Sequence, residues 1–254
     1  MRSAIVIPAR YGSSRLPGKP LLKHTGKYLI QHVYEQATRA RLATDVIIAT
    51  DDPRIEAAAG NFGGRVVMTR RDHATGTDRI AEVARNLNAD VIVNLQGDEP
   101  LIDPGALDRL IHLLATDPGA GVATLATPID SAERYSDPNV VKVVCDRNGR
   151  ALYFSRSPIP AYRDGSPSFT GEPAALQHLG VYAYRRSVLL ELAGLDPSPA
   201  ELAEKLEQLR VLHQGWAIRV GVVAGSHPGV DTWDDYLRFV SEYRAGQVTR
   251  AVAA

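Results

Sequence analysis

Short apolar runs alternate with longer amphipathic stretches through the first half of the chain. The runs are continuous and partly β-branched, which is typical of strands buried on both faces. They lie at 4–7, 46–49, 66–68 and 91–95. The amphipathic stretches predict helices at about 28–41, from residue 51 onward and at 77–84. This alternation predicts an α/β fold with a mainly parallel sheet and helices on both of its faces.

The pattern becomes mixed after about residue 120. Further strands are predicted at 122–126, 140–144, 151–154, 178–184 and 218–223. Asp146 to Gly149 has the composition of a hairpin turn, so the strands on either side of it are expected to be antiparallel. The second half therefore extends the parallel sheet with antiparallel strands, and one domain accounts for the whole chain.

One long helix is predicted from about 199 to 213. Leucines recur along it at the spacing of a single buried face, at positions 202, 206, 209 and 212. Glu207 and Gln208 lie off that face. A terminal helix is predicted after Asp231, and in isolation this aspartate is best explained as the N-cap of that helix.

Composition narrows the class of protein. Apolar residues make up 44% of the 254 residues and charged residues 23%, as in ordinary globular proteins. Twenty-nine basic residues balance twenty-nine acidic ones, which argues against nucleic acid as the main partner. The single cysteine, Cys145, excludes an internal disulfide and a multi-cysteine metal site. With no signal-peptide pattern and no apolar run near the ~20 residues that span a bilayer, we expect a cytoplasmic protein with no membrane partner.

A cluster of positive charge follows the first predicted strand. Arg10, Arg15 and Lys19 lie within ten residues that contain no acid, and Gly12 and Gly18 make this stretch pliable. We call it the cationic loop. In α/β proteins, a loop of this kind at the carboxyl end of a buried strand holds phosphate-rich ligands. The loop therefore predicts an enzyme that uses a nucleotide.

The cationic loop differs from two well-known nucleotide motifs. Five residues separate Gly12 from Gly18, where a Walker P-loop has four, and Pro20 stands where that motif has a magnesium-binding Ser or Thr. A dinucleotide glycine fingerprint is also absent, which disfavours an NAD-dependent oxidoreductase.

An acid lies at the end of another predicted strand. Asp98 follows the strand at 91–95, and the carboxyl ends of parallel strands share one edge of a sheet, so Asp98 is expected to converge with Arg10. Mg²⁺ in nucleotide enzymes usually takes one or two carboxylates plus substrate phosphates, which Asp98 would suit. Alternatively, Asp98 only caps the following loop. Asp231 would complete a metal site, but its spacing does not place it near Asp98.

Six motifs in order carry a resemblance to a known family. They are Pro8 to Pro20, Gln96-Gly97-Asp98-Glu99-Pro100, Phe154-Ser155-Arg156, His178-Leu179-Gly180-Val181-Tyr182, Leu206-Glu207-Gln208-Leu209-Arg210 and Gly229-Val230-Asp231-Thr232. From about residue 3 to 245 the chain resembles the 3-deoxy-D-manno-octulosonate (Kdo) cytidylyltransferases, or CMP-Kdo synthetases. The resemblance implies a single nucleotidyltransferase-type, Rossmann-like domain with a nucleotide-binding half (about 1–120) and a sugar-binding and dimerisation half (about 121–245).

The same resemblance implies a reaction and a set of site residues. CTP and Kdo would give CMP-Kdo and diphosphate for lipopolysaccharide synthesis, with Mg²⁺ as cofactor and a homodimer as the active form. Asp98 and Asp231 would bind the metal, and Lys19, Arg15 and Asp98 would be catalytic. The remaining assignments are Ala9, Arg10, Arg15, Lys19, Thr75 and Gln96 for CTP, and Arg156, His178, Tyr182, Glu207 and Gln208 for Kdo.

Two alternatives remain open from the sequence. A related cytidylyltransferase could act on another ulosonic acid, such as 8-amino-Kdo or a sialic acid, because the cationic loop and Asp98 would serve each of these substrates. A regulatory nucleotide-binding module without turnover is the second alternative. Retention of both acids and all three cations argues against it.

Overall fold

A computed structural model describes residues 1–12, 16–163, 165, 169, 175–225 and 229–252, with side chains as far as residue 246. Strands and helices alternate along most of this length. The strands are β1 Ser3–Ala9, β2 Asp45–Thr50, β3 Val66–Met68, β4 Val91–Asn94, β5 Ala120–Pro128, β6 Lys142–Cys145, β7 Ala151–Ser155, β8 Leu176–Arg185 and β9 Ala217–Val222. The helices are α1 Leu29–Ala37, α2 Pro53–Asn61, α3 Gly76–Arg85, α4 Pro104–Thr116, α5 Ala132–Ser136, α6 Arg186–Leu192, α7 Pro199–Glu204, α8 Gln208–His213 and α9 Trp233–Val252.

The chain divides into two compact units, each made of several segments. The first contains the cationic loop, and we call it the loop unit. It comprises Ala4–Leu87, Asn94–Pro104 and His227–Ala254. The second, the hairpin unit, comprises Met1–Ser3, Asn88–Val93 and Gly105–Ser226. The predicted division into halves at about residue 120 stays a prediction.

The loop unit is built on parallel strands. β1 pairs with β2 in parallel, and β2 pairs with β3 in the same sense. Nearly all of β1 is buried, which explains its continuous apolar sequence. α9 closes this unit by packing Tyr236, Phe239 and Val240 into a cluster with Leu16 and Leu29. The terminal helix is thereby held against residues that flank the 3-10 turn Lys19–Leu21.

The hairpin unit is mixed. β6 and β7 form the antiparallel hairpin predicted around Asp146 to Gly149, and Gly149 has a φ of 72° in its turn. β5 pairs with β8 in the antiparallel sense and with β9 in parallel. The register of the β5–β8 pair shifts between Thr124 and Leu125, which marks a β-bulge. These strands confirm the predicted antiparallel extension.

The helix predicted from 199 to 213 is wrong as one element. α7 ends at Glu204 and α8 begins at Gln208, because Lys205 takes a left-handed conformation with a φ of 55°. Because of the break, the four leucines do not form one buried face: Leu202 is 54% exposed, whereas Leu206 and Leu209 are buried. Conversely Gln208, which the stripe placed off the buried face, is buried.

Other boundaries also differ from the predictions. The helix predicted to reach residue 41 ends at Ala37, and α4, α5 and α6 were not predicted. Residues 157–173 include four prolines, for which the sequence predicts an irregular conformation, and they lie partly outside the described residues. Among the helices that the structure describes, none combines the length and apolar character needed to cross a membrane.

Candidate active site

Lys19 brings two distant acids together within the loop unit. Its ammonium lies 2.7 Å from Asp98 Oδ2 and 3.3 Å from Asp231 Oδ1, and it donates a hydrogen bond of 2.8 Å to the carbonyl of Val230. The side chain of Lys19 is only 12% exposed. We call Asp98 and Asp231 the acid pair. Two carboxylates separated by more than 130 positions in the sequence therefore converge on one cation.

Backbone contacts hold Asp98 in this position. Gly97 packs closely on the end of β1, because an added Cβ there would lie 3.0 Å from the carbonyl oxygen of Pro8. On the other side, the amide of Val230 donates to the carbonyl of Asp98 at 2.8 Å. The predicted convergence of strand ends thus involves a close approach of the two backbones, at which a side chain on residue 97 would crowd the Pro8 carbonyl.

The capping role first considered for Asp231 is wrong. Thr232 performs it instead: its hydroxyl accepts a hydrogen bond from the amide of Asp235, and Asp235 Oδ2 accepts from the amide of Thr232 at 2.9 Å. This reciprocal pair satisfies the first amides of α9. One oxygen of the Asp231 carboxylate consequently faces Lys19.

The predicted nucleotide residues line one small cavity in the loop unit. It encloses about 160 Å³ and includes Ala9, Arg10, Thr75 and Gln96. Thr75 uses its hydroxyl to accept from the amide of Asp78, so it serves as the N-cap of α3. The structure brings these four predicted residues together, whereas Arg15 lies outside the described residues.

The cavity is also lined by Pro8, His73, Ala74, Gly76 and Arg79. His73, Ala74 and Gly76 belong to the segment Asp72 to Thr77, parts of which the resemblance places near the nucleoside, whereas Arg79 was not predicted. His73 contacts the carboxylate of Glu82, and Arg79 forms an ion pair of 3.2 Å with Asp51 and contacts the hydroxyl of Thr69. Both side chains are almost fully buried. The available sequence signal was an arginine between the apolar positions of α3. Its contacts, however, depend on the ends of β2 and β3, which the sequence of α3 does not reveal.

The predicted sugar-site residues lie in the hairpin unit. His178 and Tyr182 stand on β8 on either side of its bulge, and their ring centroids are 5.4 Å apart. Burial lowers the pKa of His178 to about 3, so its ring is neutral near pH 7. Burial, and then the negative charge of Glu207, raises the pKa of the Tyr182 hydroxyl well above its usual value.

Arg156 and Gln208 differ in how their polar atoms are used. Arg156 donates from Nε to the carbonyl of Glu204 at 2.7 Å and from Nη1 to the carbonyl of Pro138 at 3.0 Å. Its guanidinium therefore links the end of α7 to the segment between α5 and β6. In contrast, Gln208 Nε2 is buried and has no hydrogen-bond partner among the described residues. A buried donor of this kind is costly unless a ligand or water satisfies it.

The acid pair fits a divalent cation that a substrate helps to bind. Within the described residues, no group of three or more His, Cys, Asp or Glu side chains could hold a metal. Two carboxylates that converge on one cation are what Mg²⁺ takes when substrate phosphates complete its coordination. The donors are hard oxygen atoms, which Mg²⁺ prefers.

Comparisons with known proteins define the class. The family model described as Cytidylyltransferase matches residues 4–219. The chain therefore belongs to the cytidylyltransferase family.

Relatives within this family are more specific. The 3-deoxy-manno-octulosonate cytidylyltransferase of Geobacter metallireducens is 49% identical over 254 residues, which cover 98% of this chain and 100% of the relative. The protein of the same name from Geobacter sulfurreducens is 51% identical over 250 residues, which cover 96% and 100%. A solved structure of CMP:2-keto-3-deoxy-manno-octonic acid synthetase complexed with CTP has a TM-score of 0.92 at 48% identity and covers 97% of this chain and 100% of that chain. The predicted family and α/β fold class are confirmed.

Proposed function

We propose that this protein transfers the cytidylyl group of CTP to Kdo, giving CMP-Kdo and diphosphate. The observation that carries the proposal is its identity of about one half, over nearly the full length, to enzymes named for this reaction. The acid pair with Lys19, and the cavity of about 160 Å³ in the same unit, support the proposal. Relatives named for Kdo favour it over the related ulosonic acids.

The cationic loop is assigned to the triphosphate of CTP. In nucleotidyl transfer, a hydroxyl of the sugar attacks the α-phosphorus and diphosphate leaves, so negative charge grows on the phosphoryl and leaving-group oxygens. Lys19, Arg10 and Arg15 are assigned to offset this charge, and Lys19, which its hydrogen bonds already hold in place, does so with little reorganisation. The base and ribose are assigned to the cavity that Ala9, Thr75 and Gln96 line.

Asp98 and Asp231 are assigned to Mg²⁺. When bound, the ion supplies positive charge that offsets the charge on the phosphate oxygens. Lys19 already lies within hydrogen-bond distance of both carboxylates, so its ammonium and the acid pair form one charged group. Lys19 therefore has two functions in this proposal, because it orients the acids and contributes charge toward the triphosphate.

Kdo is assigned to Arg156, His178, Tyr182, Glu207 and Gln208. Because its ring is neutral, His178 would hold a sugar hydroxyl by a hydrogen bond and would not pair with the Kdo carboxylate by charge. Gln208 Nε2 supports this assignment, since a hydroxyl or carboxylate oxygen would satisfy it. The homodimer stays a prediction from the resemblance, and the cytoplasmic location stays a prediction from the sequence pattern.

A diphosphate-release assay tests the proposed reaction. Each of ATP, GTP, UTP and CTP is combined with Mg²⁺ and with Kdo, 8-amino-Kdo or N-acetylneuraminate. We expect rapid release only with CTP and Kdo. No release from that mixture would contradict the proposal, and faster release with 8-amino-Kdo or N-acetylneuraminate would assign the protein to a different ulosonic acid.

Gln208→Leu tests the sugar assignment separately. We expect the KM for Kdo to rise about tenfold, because one buried hydrogen bond to the substrate is lost, while the KM for CTP stays unchanged. The variant should unfold at the same temperature or higher, since Nε2 has no partner among the described residues that it could lose. Gln214→Leu, at an exposed position just after α8, is the matched control. A Gln208→Leu protein with lower stability and an unchanged KM for Kdo would show that the role of Gln208 is structural.

A further inference from the structure

The two ends of the cationic loop are joined at Tyr11 and Gly18. The amide of Gly18 donates a hydrogen bond of 3.1 Å to the carbonyl of Tyr11. Gly18 also has a φ of 69°, and an added Cβ there would lie 3.2 Å from the hydroxyl oxygen of Tyr11. The phenol ring of Tyr11, the residue after Arg10, therefore lies against the backbone of Gly18, the residue before Lys19.

Arg54 lies over the same ring. Its guanidinium carbon is 3.3 Å from the ring centroid of Tyr11, which is the distance of a close cation–π stack. Arg54 is the second residue of α2, so the stack joins the cationic loop to a helix that lies about 40 residues later in the chain. Nothing in the sequence pattern of either segment indicates this contact.

Asp52 fixes the orientation of the Arg54 guanidinium. Its two carboxylate oxygens accept from Nε at 2.9 Å and from Nη2 at 2.6 Å, which is a bidentate pair. Asp52 is itself held by its amide, which donates to the hydroxyl of the fully buried Thr50 at the end of β2. The stack is thus anchored to a strand of the sheet and not only to other surface side chains.

We propose that Arg54 is a positioning residue for the nucleotide. By stacking on Tyr11, Arg54 stabilises the hydrogen bond between Tyr11 and Gly18 that joins the two ends of the cationic loop. This junction sets the directions in which the side chains of the neighbouring Arg10 and Lys19 extend. This role of Arg54 rests on the proposed function, in which the triphosphate of CTP is the ligand of the cationic loop. Arg54 acts through Tyr11 and does not contact the substrate.

The kinetic test is Arg54→Ala. We expect the KM for CTP to rise about two- to fivefold, the effect of one exposed cation–π contact, with kcat and the KM for Kdo unchanged. Arg54→Lys keeps the positive charge but loses the bidentate pair with Asp52 and the planar stack on Tyr11, so it should recover only part of the loss. Arg65→Ala is the matched control, because Arg65 is 53% exposed and paired with Asp45, while Arg54 is 56% exposed and paired with Asp52. An Arg54→Ala protein whose KM for CTP equals that of Arg65→Ala would overturn the proposal.

A double-mutant cycle separates stacking from long-range charge. Tyr11→Leu removes the ring, so adding Arg54→Ala to it should raise the KM for CTP no further. If Arg54→Ala raises that KM equally with and without Tyr11, Arg54 acts by its charge alone and the positioning role is wrong.

Hydrogen exchange tests the stack without any substrate. The Gly18 amide should exchange about two- to fivefold faster in Arg54→Ala than in the unmodified protein, since its bond to Tyr11 closes the loop. Unchanged exchange would contradict the positioning role. This measurement stays valid even if CTP and Kdo give no diphosphate, so failure of the proposed reaction is distinguishable from failure of the stack.

Discussion

Asp98→Asn is expected to lower kcat/KM about a thousandfold and to leave the fold intact. The substitution keeps the size of the side chain and one oxygen atom but removes the negative charge that faces Lys19 at 2.7 Å. It also removes one of the two carboxylates assigned to Mg²⁺, and losing a charge-stabilising group of an active site costs about 10² to 10³ in rate. The backbone contacts of Gly97 and the bond from Val230 to Asp98 do not involve the carboxylate, so the loop should keep its shape.

Diphosphate release and thermal unfolding together check this result. Asp103→Asn, at an exposed position shortly before α4, is the control and should keep its activity. Binding of Mn²⁺ in the presence of CTP gives a second readout. We expect this binding to be weaker in the Asp98→Asn protein and unchanged in the Asp103→Asn protein. Near-normal turnover of the Asp98→Asn protein with Mg²⁺ would show that the metal assignment is wrong.

The parallel part of the fold could be predicted because each strand carries its own evidence. β1 and β2 are short apolar runs, and burial on both faces demands such a composition whatever the neighbouring strands are. The convergence of Asp98 with the cationic loop followed from the rule that parallel strands end at one edge. The residue of the loop that contacts Asp98 is Lys19, however, and not Arg10, with which Asp98 was predicted to converge.

The elements that escaped prediction depend on tertiary contacts. Lys205 breaks the 199–213 helix by adopting a left-handed conformation that its sequence gives no reason to expect. Asp231 carries a good capping signal, yet Thr232 next to it takes the cap. The stack of Arg54 on Tyr11 joins two segments whose proximity depends on how β1 and β2 pair. At such positions the local sequence pattern allows more than one conformation or contact, and packing between distant segments determines which one forms.

Lys19→Met is expected to lower kcat/KM for CTP about a hundredfold. Methionine fills a similar volume but removes the positive charge and the donors that reach Asp98, Asp231 and Val230. In the proposed function the same charge also faces the triphosphate, so both functions of Lys19 are lost together. The unfolding free energy should fall by only about 1 kcal/mol, because Asp98 and Asp231 are 27% and 47% exposed and water screens their repulsion.

Lys19→Arg distinguishes the charge of Lys19 from its geometry. Arginine keeps the charge and should restore the stability, but its planar guanidinium cannot reproduce the contacts of a compact ammonium, so we expect activity to stay at least about tenfold below that of the unmodified protein. Lys23→Met, on an exposed residue four positions later, controls for the loss of one positive charge near the loop. Diphosphate release and denaturant unfolding are measured for all three variants. Activity of Lys19→Met within threefold of the Lys23→Met protein would mean that the acid pair and the triphosphate do not depend on Lys19.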